Sequence, residues 1–262
     1  MPDSFAVNRI IIIIYIVTLT AMWTWESFAP FFTNPTDKIR HALRNLFIGT
    51  MNGVVLGVIF AGITNGFAAY VSDYGIGLIV LFSPPWWLHC VLAFLSLDCW
   101  TYYWHRMNHL VPFFWRFHRM HHSDSAMDAT SASRFHIGEI ALSMTLRLSI
   151  IALFGIPMFV IIVYDITLLV TTLFHHANIA LPAHVDRVLR YLTPSPFMHK
   201  IHHSRYQPET NSNYSSVLTI WDRIFGTYRD KTDHRDIQFG LDGFDGEERQ
   251  SVKGLFVTPF VS

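Results

Sequence analysis

Charge is scarce in this chain. Asp, Glu, Lys and Arg make up 15% of its 262 residues, against roughly 25% in a soluble domain. Neither sign is in surplus, since 19 Lys plus Arg stand against 19 Asp plus Glu. Nucleic-acid binding leans on surplus cation, so no nucleic-acid partner is expected. Cysteine is nearly missing. Cys90 and Cys99 share one apolar stretch, which argues against a disulfide framework. There is no solenoid-type repeat and no low-complexity linker. Apolar residues, in contrast, reach 51% with 22 Phe, and mean hydropathy is +0.30. Such a composition excludes a disordered chain, a coiled coil and a collagen-like protein, and points into a membrane. Histidine, at 15 residues, is the other excess, and function is sought there.

The apolar stretches predict an all-α integral membrane protein, with about three single spans plus a helical hairpin. Roughly 20 residues span a bilayer. The first span runs from about Ile10 to Phe32; lacking a small-residue cleavage pattern, it is expected to be a retained anchor. The second runs from about Leu46 to Tyr70. Ser83-Pro84-Pro85 should start the third, with Ser83 as cap, carrying Trp86 to Trp104 across. Ile140 to Phe174 is too long for one span and is broken by Gly155 and Pro157, which suits a hairpin. Gly75 to Phe82 is expected at the interface. Basic residues follow the first span, the third span and the hairpin. The N-terminus is therefore expected outside, with a histidine-rich helical cap in the cytoplasm. Residues 1–84 form the expected anchor region and 85–262 the catalytic domain.

Eight histidines fall into three clusters. His105-x3-His109 has spacing i, i+4. His118-x2-His121-His122 and His199-x2-His202-His203 have spacing i, i+3, i+4. On a helix these positions share one face, where imidazoles can grip an ion. Isolated histidines (His41, His89, His184, His234) are read as hydrogen-bonding or interfacial residues. Eight clustered imidazoles exceed one ion's capacity, so two ions are expected. Structural zinc favours thiolate, and His-Glu-x-x-His is absent, which leaves a histidine-rich di-iron centre as the better fit. Trp100, Tyr102, Tyr103 and Trp104 resemble an interfacial belt just before His105. Asp98, two turns before His105 on the same face, is expected to hydrogen-bond the second nitrogen of a ligand.

Over roughly Leu88 to Tyr228 the chain resembles the fatty acid hydroxylase/sterol desaturase superfamily of membrane di-iron enzymes. The resemblance rests on Asp98-x4-Tyr103-Trp-His105-Arg-x2-His109, Trp115-x2-His118-x2-His121-His122-Ser and Arg134-x-His136-x2-Glu139. It continues through Phe174-x-His176-Ala-Asn178, Pro196-x2-His199-x2-His202-His203-Ser, Asn213-Tyr214 and Trp221-Asp222-Arg223-x-Phe225-Gly226-Thr227. It implies two irons, with O2 as co-substrate, held by His105, His109, His118, His121, His122, His199, His202 and His203. His176 is implied as a ninth ligand and His136 as a further one. Asp98, Glu139 and Asn178 are implied as supporting catalytic positions; Asp124, Asn213 and Asp222 are implied to support the ligands or the fold. His175 matches a position usually left apolar and takes no role. Ile137 replaces a frequent Pro, which affects the local turn.

The implied activity is O2-dependent hydroxylation or desaturation of a membrane lipid, whether acyl, sterol or otherwise apolar. No flavin or haem-attachment motif is present, so a separate electron donor (a reductase, ferredoxin or cytochrome) is expected. The competing reading is a metal-binding or metal-transport protein without oxygenase activity. A transporter would carry polar groups at mid-bilayer. These spans look poor in them, His89 being the main exception, which favours the enzyme. A bacterial inner membrane is expected over an endoplasmic reticulum.

Overall fold

The computed structural model describes residues 4–33, 37–231 and 236–261, with only the backbone at Ser4 and Phe5. His234 therefore lies outside the described residues. All regular structure among them is helical, and the one β-bridge, Pro30 to Ile179, is isolated. The long helices are α1 (Ser4–Phe28), α2 (Lys38–Asp73), α4 (Trp86–Leu110), α6 (Ile137–Phe154) and α7 (Met158–His176). Between them lie α3 (Leu78–Leu81) and α5 (Pro112–His122). The C-terminal region adds the short α8 (Ala183–Leu189), α9 (Pro196–His202), α10 (Gln207–Thr210), α11 (Ile220–Ile224) and α12 (Val252–Val257).

Four segments are long and apolar enough to cross a membrane: Ala6–Phe28, Lys38–Leu81, Ile137–Phe154 and Met158–His176. The protein is an integral membrane protein. The expected hairpin is present as α6 and α7. It turns where Gly155 takes a left-handed φ of 71°, and Pro157 then caps α7. A Cβ on Gly77 would lie 2.2 Å from the Gly155 nitrogen, so the backbones of these two glycines meet directly. His89 Nε2 completes the corner, 2.8 Å from the Gly155 carbonyl.

Three expectations are corrected. The first helix ends at Phe28, and Pro30 then bridges to Ile179. Helix α4 itself is present where the third span is expected; it is not among the four segments named above, since His89, Asp98 and its Trp and Tyr residues lower its hydropathy. Its place is central, against α3, α5, α6 and α7. Ser83 does not cap α4: its φ is 43°, its hydroxyl turns back to Val80 O, and Pro85 holds the cap position. Nor is the aromatic belt wholly lipid-facing. Tyr102 is buried, stacked on Phe225 at 5.2 Å, while Tyr103 stays exposed.

Helices α6 and α7 pack on α4 more than on each other, with α2 outside α6 and α1 outside α7. The hairpin is thus splayed, and α4 forms the floor of the wedge. An apolar core of Ala93, Leu97, Ile151, Ile156, Val160, Ile161 and Tyr164 closes its turn end. The N-terminal helices are tied into the rest by buried polar groups. Glu26 accepts the backbone N–H groups of Ala129 and Asn178. His41 sits between Asp124 (2.8 Å) and Asp128 (3.0 Å), and Asn52 donates to Phe135 O.

Candidate metal centre

The three histidine clusters come from α4, α5 and α9, whose ends converge at the foot of the wedge. Spacings of three and four residues put each cluster's rings on one helix face. Two groups result. His105, His109, His118, His122 and His202 form one; His121, His176, His199 and His203 form the other. Within each group the ligand atoms lie within 4.8 Å of one another. All eight clustered histidines and His176 are used, divided five and four. The i, i+3, i+4 clusters split between groups: His118 and His122 face one, and His121 the other.

Local hydrogen bonds decide which nitrogen each ring offers. His105 Nδ1 donates to Tyr214 O at 2.7 Å, His202 Nδ1 to Ser212 O at 2.7 Å and His176 Nδ1 to Thr172 O at 2.8 Å. A carbonyl only accepts, so these rings carry the proton on Nδ1 and leave Nε2 bare. His118 Nδ1 pairs with Glu139 Oε1 at 2.8 Å. In the first group, the Nε2 atoms of all five histidines are buried without a hydrogen-bond partner. In the second, His176 Nε2 lies 3.1 Å from His121 Nε2 and 3.0 Å from His199 Nε2. Metal–nitrogen bonds of about 2.0–2.1 Å place ligands at right angles about 2.9 Å apart. The donor sets therefore fit two metal ions.

Electrostatics favours metal over protons. Burial first, and then the neighbouring imidazoles, holds His121, His122, His199, His202 and His203 well below the usual histidine value. They are neutral at physiological pH, the state that binds metal. Burial also pushes Lys200 down to about 7; its Nζ donates to Ala177 O at 2.9 Å, fixing α9 against the end of α7. Burial raises the Asp124 carboxyl, but His41 and Arg134 more than offset that and hold it well below its usual value.

The closing motif acts as a clamp. Asp222 accepts the N–H groups of Tyr214 and Ser215 and the Thr227 hydroxyl. Asn213, at a left-handed φ of 56°, binds Met198 O and Arg229. Together they set the 212–214 backbone, whose carbonyls orient His202 and His105. Buried Arg134 braces α5 through Met120 O and Ser123, and also reaches Gln250.

Some expected site residues lie elsewhere. His136 joins neither group: it caps α6, its Nδ1 accepting from Gly138 N, with Nε2 3.2 Å from Phe256 O. Asp98 does not reach a ligand, because seven helical residues span about 10.5 Å. It instead accepts Trp221 Nε1 (2.7 Å), Leu218 N and the Tyr164 hydroxyl. Asn178 pairs with the Phe32 backbone on both sides of its amide, away from the histidines. Of the three supporting positions, Glu139 is the one that touches a ligand, and it also holds Asn108 Nδ2 at 3.0 Å. His175 is buried with its ring 4.0 Å from that of His199, outside both groups.

A cavity of about 450 Å³ opens between α4, α6 and α7. Trp104, Phe135, Ile140, Leu168, Leu169 and Leu173 line it, and its inner end reaches His105, His118, His121, His176 and His199. Asp165 lines it too and pairs with Arg147. These charged residues, together with the orienting carbonyls of Ser212 and Tyr214, were missed by sequence reasoning. Positions 147 and 165 are equidistant from the turn residue Ile156, which sets them at similar depth in the hairpin.

Residues 90–227, over half the chain, match the fatty acid hydroxylase family. An alkylglycerol monooxygenase of Homo sapiens is 31% identical over 62% of this chain and 35% of its own length. The ornithine lipid hydroxylase OlsE of Rhizobium tropici is 27% identical over 62% of this chain and 49% of its own. A cholesterol 25-hydroxylase of Rattus norvegicus is 24% identical over 54% and 47%. The chain thus spans between a third and a half of the length of these relatives. No solved structure matches it. The matched region contains both imidazole groups' cluster histidines, Glu139 and the clamp, and the chain belongs to the fatty acid hydroxylase/sterol desaturase superfamily.

Proposed function

We propose that the protein is a membrane di-iron oxygenase that hydroxylates a lipid. One observation carries this: two adjacent groups of converging imidazoles stand at the end of an apolar cavity between membrane helices. Bound iron would supply O2 activation, one oxygen atom going to the lipid and the other to water, with two electrons and two protons from a donor. His105, His109, His118, His122 and His202 would hold one iron; His121, His176, His199 and His203 the other.

The remaining residues bind, orient and exclude water. Leu168, Leu169, Leu173, Ile140, Phe135 and Trp104 give an acyl chain or ring system an apolar wall. Glu139 and the Ser212 and Tyr214 carbonyls orient the rings. The named activities of the relatives support hydroxylation over desaturation. A separate reductase, ferredoxin or cytochrome supplies electrons. The distribution of basic residues supports a histidine end on the cytoplasmic side, and a bacterial inner membrane is the proposed setting.

The test is iron loading of nanodisc-embedded protein without oxygen, Mössbauer spectroscopy, then isotopically labelled O2, reductant and a bacterial lipid extract. A spin-coupled iron pair and labelled oxygen in a lipid product are expected. Zinc alone after loading, with no labelled lipid, returns the protein to the metal-binding or transport class.

A further inference from the structure

Two charged residues inside the hairpin take no part in the metal centre. Arg147 is midway along α6 and Asp165 midway along α7. Arg147 Nη2 lies 2.7 Å from Asp165 Oδ1, with side chains 20% and 37% exposed. Charges at such a depth are costly and mark function by default. A tie between two helices is served as well by apolar packing, which is often the more stable choice. These helices moreover pack on α4 rather than on each other, so the pair bridges an open wedge.

Asp165 lines the cavity, and its second carboxylate oxygen has no protein partner among the described residues. Thr101 also lines the cavity, one helical turn before His105, its hydroxyl 2.7 Å from the Tyr164 hydroxyl. Arg147 also faces the Tyr164 ring at 5.8 Å. Between Asp165 and the histidines the cavity is lined by Ile140, Leu168, Leu169 and Leu173, with the hydroxyls of Ser143 and Thr172 as the polar exceptions. Along α7, Asp165 to His176 spans about 16 Å; along α6, Arg147 to Glu139 spans about 12 Å.

We propose that the Arg147–Asp165 pair is a recognition site for a neutral hydroxyl group carried by the lipid far from the carbon that meets the metal centre. The free carboxylate oxygen accepts the hydroxyl proton. Arg147 already neutralises the carboxylate, so a cationic group gains little there. An anionic group meets Asp165 directly and is repelled. The ligand class is therefore an amphiphile with a hydroxyl separated from the reacting carbon by about 12–16 Å of apolar structure. The assignment of the reacting end rests on the proposed oxygenase function; hydroxyl binding does not.

The probes are tritiated dodecanol, dodecane and dodecanoate, whose extended chains match this span. Their binding is measured on nanodisc-embedded protein, with empty nanodiscs subtracted. Wild type should bind dodecanol at least tenfold more tightly than either of the others. The Arg147→Leu/Asp165→Leu double variant should bind dodecanol and dodecane equally, with unchanged metal content. Equal affinities in wild type, no binding of any probe, or a preference that persists in the variant each overturn the proposal. The wild-type arm stands even if the variant does not fold. A retained hydroxyl preference in protein that oxidises no lipid would leave this site in place and remove the oxygenase function.

Discussion

Glu139 Oε1 lies 2.8 Å from His118 Nδ1, so the first turn of α6 orients a ring on α5. The same oxygen holds Asn108 of α4, and one carboxylate thereby fixes three helices around the first imidazole group. Glu139→Ala should weaken iron binding about 10–100-fold, the usual cost of losing such a partner. Glu139→Gln keeps an acceptor and should fall between. Competition against a chelator measures both, and an unchanged affinity in the alanine variant would remove this role.

The two imidazole groups share no residue. His202→Ala should empty the first and leave the second, and His199→Ala should do the reverse. Iron per chain, measured with Mössbauer spectra, should halve in each variant and the spin coupling should vanish in both. Full iron retention in either would show that its group is drawn wrongly.

His136 belongs to a helix cap, not a metal group. His136→Ala should leave iron content at the wild-type level while lowering stability by about 1 kcal/mol, as loss of an N-cap does. Iron loss without a change in melting would contradict the cap assignment.

Asp222 acts at one remove, through the Tyr214 and Ser215 backbone. Asp222→Ala strands buried N–H groups and should cost about 1–3 kcal/mol. Iron should be lost from the first imidazole group before the second, since the Tyr214 carbonyl orients His105. Equal loss from both would point to general unfolding.

Acidification should destabilise the metal-free protein. Burial holds five of the clustered imidazoles, His121, His122, His199, His202 and His203, well below the usual histidine value. As pH falls through about 6.5 the unfolded chain takes up protons that the folded chain refuses. Stability is thus fully present above that pH and is lost below it, by about 1.4 kcal/mol per pH unit for each group. Melting of the metal-free protein from about pH 7.5 to about pH 5.5 checks this; a flat profile refutes it.

Much of the centre was legible because helical periodicity alone brings i, i+3 and i+4 together. The five-and-four division was not, since two of the three clusters straddle both groups and only the crossing of α4, α5 and α9 shows which ring faces which. The partners of Asp98, namely Trp221, Leu218 and Tyr164, were not legible, because sharing a helix face with His105 says nothing about what packs from other segments. The cap position of His136 was not legible, because an imidazole accepting a backbone N–H looks, in sequence, like any other motif histidine. The orienting carbonyls of Ser212 and Tyr214 carry no side-chain signature. Arg147 and Asp165 were missed, because two isolated charges barely lower the mean hydropathy of the apolar stretch that holds them.

The buried ties from the first two helices bear on how this protein can be cut or recombined. Family similarity begins at residue 90, yet Glu26 caps the backbone at Ala129 and Asn178, and His41 stands between Asp124 and Asp128. A chimera that grafts residues 85–262 onto a foreign anchor would leave two carboxylates and two amide hydrogens facing each other's absence in a dry interior. The smallest transplantable unit therefore includes the anchor helices, and swapping them requires carrying Glu26, His41 and Asn52 along.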